Sequence, residues 1–71
     1  MDTPTAANTV FTFHDILNSP NTQITIVVSN ADGSKNGWDI YILKNEADTA
    51  RAMTKAQLVA FLVRQNADTV L

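Results

Sequence analysis

Between residues 22 and 44 the chain carries two alternating runs separated by a glycine-bearing stretch, and few structures other than a β-hairpin accommodate them. The first run is Gln23-Ile24-Thr25-Ile26-Val27-Val28-Ser29, and the second is Trp38-Asp39-Ile40-Tyr41-Ile42-Leu43-Lys44. Both are rich in β-branched and aromatic side chains, which suit a pleated, half-buried surface. Both alternate with period two, so the two faces of the hairpin meet different surroundings. Asp32-Gly33 and Asn36-Gly37 lie between them, pairs that tolerate positive φ at low cost. The reading is a strand over 23–29, a turn over 30–37 and a return strand over 38–44.

Alternation also suggests a register. Setting Ile26 opposite Ile40 places Ile24 opposite Ile42 and Val28 opposite Trp38, which gathers all the large apolar side chains of one face and makes Trp38 core. A slip by one residue would mix the faces. In that register the turn centres on Gly33, with a three-residue loop at Asp32-Gly33-Ser34. The opposite face carries Gln23, Thr25, Val27 and Ser29 on one strand and Asp39, Tyr41 and Leu43 on the other. Val27, Tyr41 and Leu43 form a second apolar patch there. Either another segment of the chain covers this patch, or it is a surface for self-association or for a partner.

With 71 residues the chain is one domain. A domain of this size buries only about 60% of the surface its unfolded form exposes. It contains no cysteine, so disulfides and thiolate metal sites are excluded. Good packing or oligomerisation must supply what staples supply in other small domains, which raises the expectation of a dimer. No stretch approaches the ~20 apolar residues of a membrane helix. Met1-Asp2-Thr3-Pro4 lacks the basic region and apolar core of a signal peptide, so a cytoplasmic location is expected and no membrane partner.

The net charge is −2. All the basic residues (Lys35, Lys44, Arg51, Lys55, Arg64) follow Gly33, yet Asp39, Glu46, Asp48 and Asp68 interleave with them. A phosphate-binding footprint needs a denser basic cluster, and a nucleic-acid mimic needs denser acids.

Residues 1–10, rich in Thr, Ala and Asn, read as a flexible N-terminal arm, with the single α+β domain over 11–71. Phe13, Ile16 and Leu17 fall at i, i+3 and i+4, and Thr12 with Asp15 outlines a capping box, so a short helix is expected over 13–18, ended by Pro20. His14 reads as a surface or capping residue on that helix. Residues 45–53 leave three readings open: a loop, a short third strand near 49–53, or a helical turn. Thr54 and Gln57 complete a capping box, and Met53 and Leu58 have the spacing of a hydrophobic staple. A C-terminal helix is therefore expected from Lys55 to Asn66. Leu58, Phe61, Leu62 and Gln65 form its stripe, Val59 and Val63 widen it, and the hairpin's isoleucine face is its partner. Val70 and Leu71 are read as late tail contacts.

The search for chemistry returns little. There is no glycine-rich phosphate loop, no His/Cys ligand spacing and no nucleophile elbow. Asn30-x-Asp32-x-Ser34 outlines the start of a calcium loop but has Lys35 where glycine is needed and Tyr41 where a bidentate acid is needed. Asp39, Glu46 and Asp48 read as solvated acids. No enzyme activity and no cofactor are expected.

The expected architecture is α+β, in the order α-β-β-α, with the antiparallel hairpin packed against the C-terminal helix and a short third strand as an option. The expected function is a non-catalytic protein-binding module that regulates or inhibits a partner protein, or assembles with a second copy of itself. Chains of this size are common among accessory proteins of phages and mobile elements. The candidate binding residues are Val27, Lys35, Asn36, Asp39, Tyr41 and Leu43. The alternative is a nucleic-acid-binding accessory protein using the hairpin tip with Lys35, Lys44, Arg51 and Arg64; a third is a structural subunit of a larger assembly.

Overall fold

A computed structural model describes residues 1–63 of the chain. It is an α+β fold in which the strands come first. Strands β1 (Thr9–Asp15), β2 (Asn21–Ser29) and β3 (Lys35–Leu43) form one antiparallel sheet in the order β1-β2-β3. Helix α1 (Lys44–Arg51) follows β3 directly, and α2 (Lys55–Leu58) continues into a π-helical segment (Val59–Val63). The order α-β-β-α is thus corrected: the element expected as a helix over 13–18 is the edge strand β1 and the turn after it.

The reason lies in competing periods. Thr9, Phe11 and Phe13 alternate with Val10, Thr12 and His14, and that period of two wins over the helical spacing of Phe13, Ile16 and Leu17. As a strand, β1 lays Phe11 opposite Ile26 and Phe13 opposite Ile24, cross-strand pairs of the kind that stabilise sheets. Leu17, a supposed helix-stripe residue, is 86% exposed in the turn. Asn18 takes φ 61° there, a conformation asparagine tolerates better than most residues. The capping box of Thr12 and Asp15 does not form; Asp15 instead accepts the Thr22 hydroxyl at 2.7 Å. The third strand therefore comes from residues 9–15, and it takes Thr9 and Val10 from the stretch whose composition reads as an arm. Residues 45–53 are not a strand, and most of them belong to α1.

The hairpin faces are as alternation demands, but the register is not. Ile24 lies opposite Ile40 and Ile26 opposite Trp38, a shift of two residues from expectation. Such a shift preserves every side chain's face, so hydrophobicity alone cannot detect it. The turn decides. The Gly33 amide donates to the Asn30 carbonyl at 3.0 Å, and the Asn30 amide donates to the Ser34 carbonyl at 2.8 Å. The loop is therefore Ala31-Asp32-Gly33, with Gly33 at φ 90° in third place. A three-residue hairpin loop needs its left-handed residue last, not in the centre.

The helices occupy one face of the sheet. Ile24, Ile26 and Leu62 are fully buried and cluster with Ile40, Ala50 and Leu58, while Phe11, Phe13, Trp38, Ile42, Met53 and Phe61 pack around them. Two helical pieces build this layer, where a single C-terminal helix was expected to cover the hairpin. α1 contributes the fully buried Ala47 and Ala50, small residues that let its backbone approach the sheet. Its first turn is tied down by the Lys44 amide donating to the Pro20 carbonyl at 2.8 Å. α2 begins where the capping box places it: the Gln57 amide donates to Thr54 Oγ1 at 3.2 Å, and the Thr54 amide donates to Gln57 Oε1 at 2.9 Å. The expected helix end at Asn66, the stripe position Gln65 and the tail contacts of Val70 and Leu71 lie outside the described residues.

A polar clamp ties α1 to the sheet edge. Arg51 Nη2 meets Asp15 Oδ1 at 3.2 Å, and its guanidinium lies 5.3 Å from the centroid of the Phe13 ring. Asp48 adds a looser ion pair to Arg51 at 3.8 Å. The Thr22 hydroxyl, and secondarily Arg51, hold the Asp15 carboxyl below its ordinary pKa.

Two outcomes are expected. Leu62→Ala, truncating a fully buried core residue, lowers unfolding free energy by about 2–5 kcal/mol in urea titration; a change below about 1 kcal/mol would show that Leu62 is not seated in a packed core. Asp15 has a depressed folded pKa, so its contribution is present above the unfolded value of about 4 and is lost as pH falls through the lower folded value. The melting temperature of the wild type should fall more steeply than that of Asp15→Asn in this acid window, and parallel curves would dissociate Asp15 from acid stability.

Candidate functional site

With both helical pieces on one face, the described residues leave the other face of the sheet open. Its composition follows from parity. Val10, Val27 and Gly37 form one cross-strand row; Thr12, Thr25 and Asp39 the next; His14, Gln23 and Tyr41 the third; and Asn21 pairs with Leu43 at the end. Tyr41 is 61%, Val10 53% and Leu43 45% exposed. Gly37 has no side chain to cover Val27, and a Cβ there would stand 3.6 Å from Val27 Cγ2.

Polar side chains cross the middle of this face. The Thr25 hydroxyl donates to Asp39 Oδ1 at 2.7 Å, and Gln23 Nε2 reaches the Tyr41 hydroxyl at 3.5 Å. The surface is therefore apolar at two ends, Val10 with Val27 and Tyr41 with Leu43, around a hydrogen-bonded centre. The β1–β2 turn, in which Leu17 is exposed, joins the end of β3 where the Lys44 amide bonds the Pro20 carbonyl. Tyrosine is among the side chains enriched at protein interfaces.

Of the candidate binding residues, Val27, Lys35, Asp39, Tyr41 and Leu43 share this face. Asn36 does not. It has the opposite parity, pairs with Val28, and its Oδ1 accepts from Asn30 Nδ2 at 2.7 Å. The hairpin tip is a closed network. Asn30 Nδ2 also reaches Ser34 Oγ at 3.0 Å, and Asp32 Oδ1 accepts both the hydroxyl and the amide of Ser34. The hydroxyl and then the amide hold the Asp32 carboxyl below its ordinary pKa. Asp2 closes the network from outside: its amide donates to Asn30 Oδ1 at 2.9 Å and its carboxylate accepts from Ala31 at 2.7 Å. The residues that outlined a calcium loop thus hold the turn together. Among the described residues no group of three or more His, Asp or Glu side chains is arranged to hold a metal ion.

Sequence reasoning missed Val10, Thr12 and His14, which β1 contributes to the same surface. Their signal was the alternation with Phe11 and Phe13. Trp38 lies half-buried on the helical side, and its indole Nε1 is buried without an acceptor among the described residues.

No helix among the described residues is long and apolar enough to cross a membrane. Comparisons with protein-family models, with curated proteins and with solved structures found no match for this chain.

Proposed function

We propose that the protein is a small non-catalytic protein-binding module that regulates or inhibits a partner protein in the cytoplasm, and that the open sheet face is its binding surface. The observation that carries this reading is the exposure of Tyr41, Leu43 and Val10 on a face that no described element covers. A domain this small has little apolar surface to spare, so three large apolar side chains left in water on one face call for a functional reason. Lys35 and Asp39 border the patch and supply charge for specificity and steering.

Nucleic-acid binding has weaker support. Among the described basic residues only Lys35 lies on the open face; Lys44 opens α1, Lys55 opens α2, and Arg51 is engaged by Asp15 and Asp48. Arg64 lies outside the described residues. Neutralising several phosphates requires several cations along one surface.

The test is capture from lysate of the source cell, with and without nuclease, comparing the wild type with the double variant Tyr41→Ala/Leu43→Ser. A stoichiometric protein should survive nuclease with the wild type and drop about tenfold or more with the variant, as expected for loss of an interface hot spot. The variant should keep the wild-type circular dichroism and melting transition. Loss of captured material on nuclease treatment would transfer the function to nucleic acid. An unfolded variant would show that the patch is covered within the chain.

A further inference from the structure

Among the described residues the sheet has two free edges, and they differ. The hydrogen-bond phase of β1 is fixed by two bonds: the Ser29 amide to the Asn8 carbonyl at 2.8 Å and the Ile16 amide to the Asn21 carbonyl at 3.3 Å. Even-numbered residues of β1 therefore turn their backbone groups to β2, and Thr9, Phe11, Phe13 and Asp15 turn theirs to the open edge. In β3 the bonds Asn30 to Ser34 and Lys44 to Pro20 turn the even-numbered residues to β2 in the same way. There Lys35, Gly37, Asp39, Tyr41 and Leu43 present the free groups.

Exposed edges are normally guarded by lysine, proline, inward charge or a covering segment. β3 carries Lys35 and Asp39. β1 carries neither lysine nor proline, and its only charged residue is Asp15, at its end. The N-terminal segment does not cover it among the described residues, because from Asn8 it crosses toward the β2–β3 turn, where Asp2 is bonded.

The geometry points to a second copy of this chain as the occupant of the β1 edge. Antiparallel pairing of β1 with itself over its full length puts the two-fold axis at Thr12. In that register Phe11 faces Phe13 of the second copy, and Asp15 faces Thr9, so all the free backbone groups of β1 find partners. The half-buried phenylalanines of both copies then meet on the helical side, an aromatic cross-strand pairing that is favourable, and threonine meets threonine on the open side. Between the two β1 strands no like charges oppose one another. The same operation on β3 sets Asp39 directly against its own copy, which is unfavourable. The product is a continuous six-stranded sheet that carries two open faces side by side. This inference concerns a different surface from the partner-binding face and stands without it.

The chain's lack of cysteine makes the test direct. Sedimentation of the full chain from micromolar to millimolar concentration should show mass rising from 7.8 kDa toward twice that value. Thr12→Lys and Thr12→Glu, at an exposed position, should each weaken the dimer about tenfold or more by placing like charges at the axis, and mixing the two variants should restore association. Thr12→Cys should form a disulfide dimer under mild oxidation, since a non-hydrogen-bonded antiparallel pair holds its Cα atoms about 4.5 Å apart. Asp39→Cys, equally exposed on the other edge strand, should cross-link far more slowly. A monomer at millimolar concentration would overturn the inference and leave the edge to a strand of another protein. Failure of the Lys/Glu mixture to recover, or equal cross-linking through Asp39→Cys, would also overturn it.

Discussion

Burial of one face of β2 is the constraint from which the rest of the structure follows. Ile24, Ile26 and Val28 lose all solvent exposure, at about 1.5–3 kcal/mol of transfer free energy each. Among the described residues no other segment matches that. Burying them requires a strand on each side to satisfy the backbone of β2 and a layer above to exclude water. β1 and β3 fill the first role and the two helical pieces fill the second. Once the helices are committed to that face, the other face of the sheet is left outside. The open surface is thus a consequence of size: among the described residues there is helix enough for one side only.

Legibility in the sequence followed the range of each interaction. The Thr54–Gln57 capping box involves residues three apart, and it was readable down to its hydrogen bonds. The two faces of the hairpin were readable because parity is a local property of Ile24, Ile26, Ile40 and Trp38. Register was not, because a two-residue shift leaves parity intact, and the decision rests on where Gly33 sits in its loop. β1 was misread because Phe13, Ile16 and Leu17 satisfy a helical template by spacing alone. What overrides it is pairing with Ile24 and Ile26, which are distant along the chain. Half of the candidate surface inherits this difference: Tyr41, Leu43 and Val27 follow from hairpin parity, whereas Val10, Thr12 and His14 require knowing that β1 exists.

The polar side chains divide between two tasks. At one end Asp2, Asn30, Asp32, Ser34 and Asn36 bond to one another and to the turn backbone, so their number there reflects what a tight, exposed loop needs. At the other end Thr22, Asp15 and Arg51 join the sheet edge to α1. Arg51 contributes more than charge, since it also lies over Phe13 and shields that ring. The open face has polar pairs too, but Thr25–Asp39 and Gln23–Tyr41 run across strands and leave the aliphatic and aromatic groups beside them uncovered.

The junction between β3 and α1 has a mechanical consequence. Leu43 ends the strand and Lys44 begins the helix with nothing between. A two-residue slip of β3 along β2 would carry its end about 7 Å, and α1 would travel with it. Ala47 and Ala50 would leave their seat on the sheet, and the Lys44–Pro20 bond would break. The helix thus acts as a register lock: it forbids the one misalignment that side-chain alternation permits, and it does so from outside the hairpin it governs.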